Sequence, residues 1–424
     1  MVFQNSREEE QIMLRRGSFL IIFLLSVLVV DGAWAQGIIF PSTGAKHRSM
    51  AGASTAAPLD AAGATYWNPA AMAGLEESEI FIGVDFMYAD TFLNAGVAAT
   101  NSFGTNRSDS GLAVFPAVAI VSRPEDSIYT WGLNMRGLVG RTIDFPGGEF
   151  NPILQPFDPP SSIGVGPISS RLSGLQIDPI MSIDLSEKLS VGFGGQVTSM
   201  FLAADPAFFA QRNPDGLFPP ATQARPYWGL GFQGGVYYRP NAQMSLGASY
   251  KTKQWFETFE YNSKTANGTA RKLSFELEFP AILSLGVGYY GIENTTIAFD
   301  LRHFSYGNTK GFGGDRLQWQ SIWAFAVGAE RTLNERWKIS GGFSHNGNPI
   351  PNTATLANIQ LPAINKTAIA IGTSLALTER VDLVGSVYYA FPHTNTGTIF
   401  EFPGTTVELK QELTTISLGF AFKL

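Results

Sequence analysis

Cysteine is absent from the 424 residues. That removes disulfides, thiolate nucleophiles and a lipid-bearing N-terminal Cys, so stability and any membrane attachment must come from the fold itself. Charge is scarce as well, with Asp, Glu, Lys and Arg at 15%. Histidine occurs four times, and His47, His303 and His393 lie scattered without metal-ligand spacing. Each reads as a plug, wall or loop residue, so neither a metal nor a cofactor is expected. Beyond residue 35 no apolar stretch reaches the ~20 residues that a membrane-spanning helix needs. What the chain has in quantity is glycine (45) and phenylalanine (32). This composition suits a membrane β-barrel, apolar outside and not inside, better than an average soluble enzyme.

The N-terminus reads as an export signal. Arg15 and Arg16 precede an apolar run from Phe19 to Val30, and Ala33-Trp34-Ala35 supplies the small-x-small pattern cut by a signal peptidase. Cleavage is expected after Ala35, giving Gln36 as the mature start. Removal of Arg7, Arg15, Arg16 and of Glu8, Glu9, Glu10, Asp31 moves the net charge from −6 to −5, which speaks against a nucleic-acid partner.

From Glu79 onward the chain reads as about fourteen segments of alternating polarity, each near the ~9 to 11 residues of a tilted membrane strand. They are expected near 79–90, 111–122, 127–140, 172–184, 188–200, 227–238, 243–257, 271–290, 295–306, 321–331, 336–346, 363–377, 381–391 and 407–424. In the last, Ile416, Leu418, Phe420, Phe422 and Leu424 share one face and Thr415, Ser417, Gly419, Ala421 and Lys423 the other. Connections alternate between short ones, such as Arg123-Pro124-Glu125-Asp126, and long ones, such as 141–171 and 201–226. That is the turn-and-loop rhythm of an outer-membrane barrel, and an even strand count puts both chain ends in the periplasm. A soluble β-sandwich does not explain loop lengths that alternate along the whole chain. Trp228, Trp255, Trp323 and Trp337 near strand ends fit interfacial girdles, and Pro116, Pro179 and Pro280 mark bulges or kinks. The fold expected is all-β: a transmembrane antiparallel barrel of about 14 strands over 79–424, with residues 36–78 as an N-terminal hatch inside it. Within the hatch Asn68 is a suitable N-cap and Pro69 a suitable first helical residue, giving one turn through Met72 that Gly74 ends.

The hatch and the rhythm together resemble the FadL-type outer-membrane transporters of long-chain fatty acids and of hydrocarbons. The resemblance is carried by Gly52, Ala61-Ala62 and Tyr66-Trp67-Asn68-Pro69-Ala70 in the hatch, and by Phe279-Pro280-Ala281. Further along it rests on Asp300 to Ser305, Asn348-Pro349-Ile350-Pro351-Asn352 and Leu361-Pro362. It implies apolar ligands captured by outer loops, held in an internal pocket and released sideways through a wall gap beside a kinked strand. It also implies a hatch that changes conformation, a role carried onto Asn68, Pro69 and Ala70. The chain closes on Leu424 instead of the usual aromatic residue, with Phe422 as a substitute signal for the barrel-insertion machinery.

No catalytic residues are expected. Gly229-Leu230-Gly231-Phe232-Gln233-Gly234 fits a dinucleotide fingerprint, yet Tyr237, Tyr238, Arg239 and Pro240 follow where a helix is required. Ser344 and His345 are strand neighbours pointing to opposite faces, which excludes a nucleophile and base pair. Phe201, Phe208, Phe209 and Phe218 on the loop after residue 200 form a candidate capture surface. By strand parity Arg136, Lys251 and Arg302 face the lumen. Arg302 shares its face with Asp300 and reads as half of an ion pair, so Arg136 and then Lys251 are the candidates for a fatty-acid carboxylate. The sequence therefore reads as a monomeric barrel in the outer-membrane lipid that takes in long-chain fatty acids passively. Alternatives are an aromatic or alkane hydrocarbon transporter, a porin, and a surface-binding protein.

Overall fold

The computed structural model describes residues 36–158, 162–222, 225–265, 267–399 and 403–424. The export signal expected over residues 1–35 lies outside them. Fourteen antiparallel strands form the wall: β1 (Glu79–Val97), β2 (Leu112–Ser122), β3 (Tyr129–Phe145), β4 (Ile168–Ser186), β5 (Leu189–Asp205), β6 (Tyr227–Asn241), β7 (Met244–Lys251, resumed at Gln254–Phe256), β8 (Glu278–Phe279, then Ile282–Ile292), β9 (Thr295–Phe304), β10 (Ile322–Thr332), β11 (Trp337–Asn346), β12 (Thr367–Thr378), β13 (Val381–Gly397) and β14 (Thr405–Lys423). Each pairs with its sequence neighbours, and β1 pairs with β14 from Glu79↔Lys423 to Val97↔Thr405, closing the sheet. Closure is the physical requirement, since an unpaired backbone group in lipid costs several kcal/mol.

Alternation sorts the faces as expected. Ile416, Leu418 and Phe420 are exposed on the outside of β14, while Thr415, Ser417 and Ala421 are buried inside. Trp228, Trp255, Trp323 and Trp337 all point outward. Pro280 and Ala281 interrupt β8, and the β4–β5 ladder skips Asp178 and Pro179. One expected strand is corrected. Of the segment 271–290, only its second part joins the wall, because Ala270–Phe275 folds onto Phe259–Lys264 as a separate hairpin beyond it. Both parts carry the same alternation, so periodicity does not separate them. A further strand, Ser102–Arg107, pairs with the outer half of β1.

Residues 36–78 run inside the barrel, with a short helix α1 (Ala45–Ser49), a second α2 (Ala61–Ala64) and a 3-10 turn Pro69–Gly74. Asn68 caps that turn, its side-chain oxygen accepting from the Ala70 N–H at 3.1 Å, and Pro69 is its first residue. The abundance of glycine is explained here. A Cβ on Gly328 would meet the Met50 backbone at 2.7–2.8 Å, and one on Gly286 would meet Thr55 Cβ at 2.7 Å. Gly192, Gly235, Gly247, Gly342 and Gly372 stand equally close to the hatch. The wall thus presents bare backbone where the hatch backbone lies against it.

Candidate functional site

Charged and polar wall residues tie the hatch down. Arg48 pairs with Asp85 of β1 at 2.5 Å and also donates to the Ser42 carbonyl. Asp300 of β9 accepts from the backbone N–H groups of Ser54 (2.8 Å) and Thr55 (3.0 Å) and from the Thr55 hydroxyl (2.8 Å). Arg302, fully buried, pairs with Asp300 and donates to the Gly52 carbonyl at 2.6 Å. Asn68 donates to the carbonyls of Thr55 and of Val236 on β6, so one amide caps the turn and fastens it to the wall. Within the hatch, His47 faces two acceptors, Asp60 at 3.1 Å from Nδ1 and the Ala57 carbonyl at 3.0 Å from Nε2, and the Leu59 N–H also points at Nε2 at 3.3 Å. Burial opposes its charge, but the Asp60 carboxylate and that carbonyl hold its pKa above the usual value. Lys46 is also buried, and the field of Glu330, Asp60 and further carboxylates outweighs desolvation and raises its pKa.

Above the hatch lies a large apolar cluster. Its floor is Ile38, Ile39, Tyr66 and Trp67, its walls include Leu93, Ile143, Phe145 and Phe304, and Phe208, Phe259 and Trp319 belong to the same cluster. Three cations surround the floor aromatics. Arg136 lies 4.5 Å from the Tyr66 ring centre, Arg302 4.1 Å from that of Trp67, and Lys251 about 5 Å from both.

The expected site residues fall out as follows. Arg302 pairs with Asp300, as its position on the same strand face implies. Arg136 has an acid that sequence order does not reveal: Asp178 of β4, 42 residues on, at 2.5 Å, with Gln176 beside it. Lys251 forms no carboxylate pair among the described residues, and its ammonium donates to the Tyr66 carbonyl at 2.5 Å. Phe208 and Phe218 meet edge to face at 5.1 Å, and Phe209 lies against Phe275 of the outer hairpin, so these three join the cover over the lumen. Phe201 sits elsewhere, because β5 runs on to Asp205; it is exposed on the outer face of that strand. Ser344 is buried near the Tyr388 hydroxyl, while His345 bonds Thr367 on the other face. No group of His, Cys, Asp or Glu suited to a metal ion occurs among the described residues.

A second feature was not legible in the sequence. The β2–β3 ladder runs only from Ser122↔Trp131 to Ala117↔Arg136, so β2 from Pro116 upward is unpaired on that side. On the other side of β3 the register slips between Gly137 and Val139, where Leu138 is an extra residue. A cavity of about 520 Å³ occupies the resulting gap, lined by Phe115, Pro116, Gly140, Arg141, Leu175 and Phe201 among others. The slip reverses the parity of β3: Arg141, Ile143 and Phe145 turn inward, and Thr142 and Asp144 turn outward.

A protein-family model described as "Outer membrane protein transport protein (OMPP1/FadL/TodX)" matches residues 26–414. No curated protein sequence matches the chain. Among solved structures, the chain is similar to the Pseudomonas putida toluene transporter TodX, with 16% identity over 91% of this chain and 99% of that one, at a TM-score of 0.68. A Pseudomonas aeruginosa FadL homologue gives 14% identity over the same shares and a TM-score of 0.70. The Ralstonia pickettii toluene transporter TbuX gives 17% identity, again over 91% and 99%, and a TM-score of 0.67.

Proposed function

Because the chain belongs to the outer membrane protein transport family that includes FadL and TodX, we propose that this plugged barrel carries uncharged hydrocarbons, aromatic or alkane, inward by diffusion. The observation that carries this reading is the charge balance at the floor of the apolar cluster. Arg136 and Arg302 are each neutralised by a carboxylate, Asp178 and Asp300, and Lys251 is taken up by a carbonyl and two ring faces. What remains for a ligand is apolar surface and aromatic edges, which suit a hydrocarbon better than an acid. Similar solved structures named as toluene transporters support the same substrate class. The fatty-acid reading is the runner-up, kept by the one cation there without a carboxylate, Lys251.

In this reading the cover of Phe208, Phe209 and Phe218 gathers ligand and the apolar cluster holds it. The hatch turn around Asn68, Pro69 and Ala70 shifts, and the β2–β3 gap releases ligand sideways into the membrane. The short-turn end faces the periplasm, where β1 begins and where the Leu424 N–H meets the Ser78 carbonyl. The experiment is uptake of radiolabelled toluene and oleate, side by side, in cells lacking their own transporter. Faster toluene entry that survives Lys251→Met supports the proposal. Oleate entry that Lys251→Met abolishes, with no gain for toluene, would replace it with the fatty-acid reading.

A further inference from the structure

Arg141 is a buried charge without an evident partner among the described residues. It lies on β3 above the register slip, is 8% exposed, and its Nη1 has no hydrogen-bond partner. No carboxylate among the described residues pairs with it, in contrast to the neutralised Arg136 five residues before it on β3 and Arg302 on β9. A guanidinium removed from water without an anion is costly, so the site is built for an anion that the chain does not itself supply.

Its surroundings indicate which one. Arg141 lines the wall cavity together with apolar Phe115, Leu175 and Phe201, and Arg171 stands exposed at its outer lip. The mouth of that cavity opens on the lipid-facing surface, where Leu112 and Val114 are more than half exposed. It does so at the level of the outer aromatic girdle, since Leu112 pairs with Tyr88 and Leu175 is joined through Ser199 to Trp228. That is where lipid headgroups lie. A buried guanidinium bordering a greasy slot, with a second at the slot's outer lip on the opposite face of the wall, matches a phosphate headgroup that reaches Arg141 through the gap with its acyl chain along the slot.

We infer that the β2–β3 wall cavity is a binding site for an anionic phospholipid, whose phosphate is held by Arg141 and whose acyl chain fills the gap until ligand leaves through it. The choice of a lipid over a free acid rests on the proposed hydrocarbon substrate, which brings no anion of its own. Occupied, the slot would be sealed against water and the buried charge answered.

Native mass spectrometry of the barrel in a neutral maltoside tests this, titrating separately with palmitoyl-oleoyl phosphatidylglycerol, the phosphatidylcholine of the same chains, and oleate. One phosphatidylglycerol should bind per barrel, weakened about ten-fold or more in Arg141→Met and largely kept in Arg141→Lys. Leu175→Trp, which fills the slot and keeps the charge, should weaken it too. Heat-modifiable migration in gels checks that each variant is a closed barrel. Equal phosphatidylglycerol binding by parent and Arg141→Met, or none by either, would overturn the site. Binding of oleate but not phosphatidylglycerol through Arg141 would overturn the lipid as occupant. A failed hydrocarbon reading is seen separately, as absent toluene uptake with the lipid count intact.

Discussion

Removal of Asp300 should undock the front of the hatch while leaving the wall closed. The carboxylate accepts three hydrogen bonds from Ser54 and Thr55 and pairs with Arg302 at full burial. Asp300→Ala leaves that guanidinium without a counter-ion, a change that costs about 3–5 kcal/mol in buried pairs. Two backbone N–H groups lose their acceptor as well, although such terms are not additive. Taking about 4 kcal/mol as the net effect, the undocked fraction rises by roughly a thousand-fold. The chain has no cysteine, so Ser54→Cys provides a clean reporter. Ser54 is 1% exposed and its hydroxyl makes no hydrogen bond, so the exchange sacrifices none. Maleimide labelling of that thiol should accelerate by two orders of magnitude or more in Asp300→Ala, with gel migration of the folded barrel unchanged. Arg302→Met added to Asp300→Ala should recover part of the slow labelling. A labelling rate within about three-fold of the parent would refute the idea that this carboxylate holds the hatch.

Four further outcomes follow from the same contacts. Gly328→Ala, whose added methyl would crowd Met50, should accelerate Ser54→Cys labelling without unfolding the wall. Arg136→Ala should destabilise the barrel by about 3–5 kcal/mol in urea titrations by stranding Asp178, and Arg136→Met with Asp178→Leu should restore most of it. The folded pKa of His47 is raised, so its contribution to the hatch's own fold, through Asp60 and Ala57, is complete below about 6.5 and is lost as pH rises through the folded value. Asp60 is held low, so its contribution is present at neutral pH and is lost as acid titrates it. Labelling, corrected for thiolate fraction with a free-thiol control, should therefore speed up on the alkaline side, and His47→Gln should flatten that limb. Leu175→Trp should slow toluene uptake and leave labelling unchanged, since it narrows the gap far from the hatch.

How much of this the sequence carried depends on the range of the signal. Alternation in β14 and in β12 is local, so faces and strand count were legible there. The Arg302 and Asp300 pair was legible because two residues on one strand share a face by geometry alone. The partner of Arg136 was not, because Asp178 lies on the adjacent strand after a long loop, and the register between strands is not written in either one. Arg141 was hidden because the sequence places it in the loop 141–171, whereas the strand runs on to Phe145, past the extra residue Leu138 that shifts its parity. The hairpin at 259–275 was missed because an outer ribbon and a membrane strand share one period.

The glycine lining of the wall bears on how the hatch lets go. Where glycine lines the wall, bare backbone lets the hatch backbone come close without side chains interlocking, so those stretches hold it by contact alone. Polar grip comes from separate wall side chains and carbonyls, among them Asp85 on Arg48, Asp300 on Ser54 and Thr55, Lys251 on Tyr66, Val236 on Asn68, Glu79 on Ala61 and Ser249 on Trp67. A stopper held at many separate points has no single fastener whose loss frees the whole of it. Because those fasteners sit on β1, β6, β7 and β9, loosening one frees its own part of the hatch and leaves the others seated.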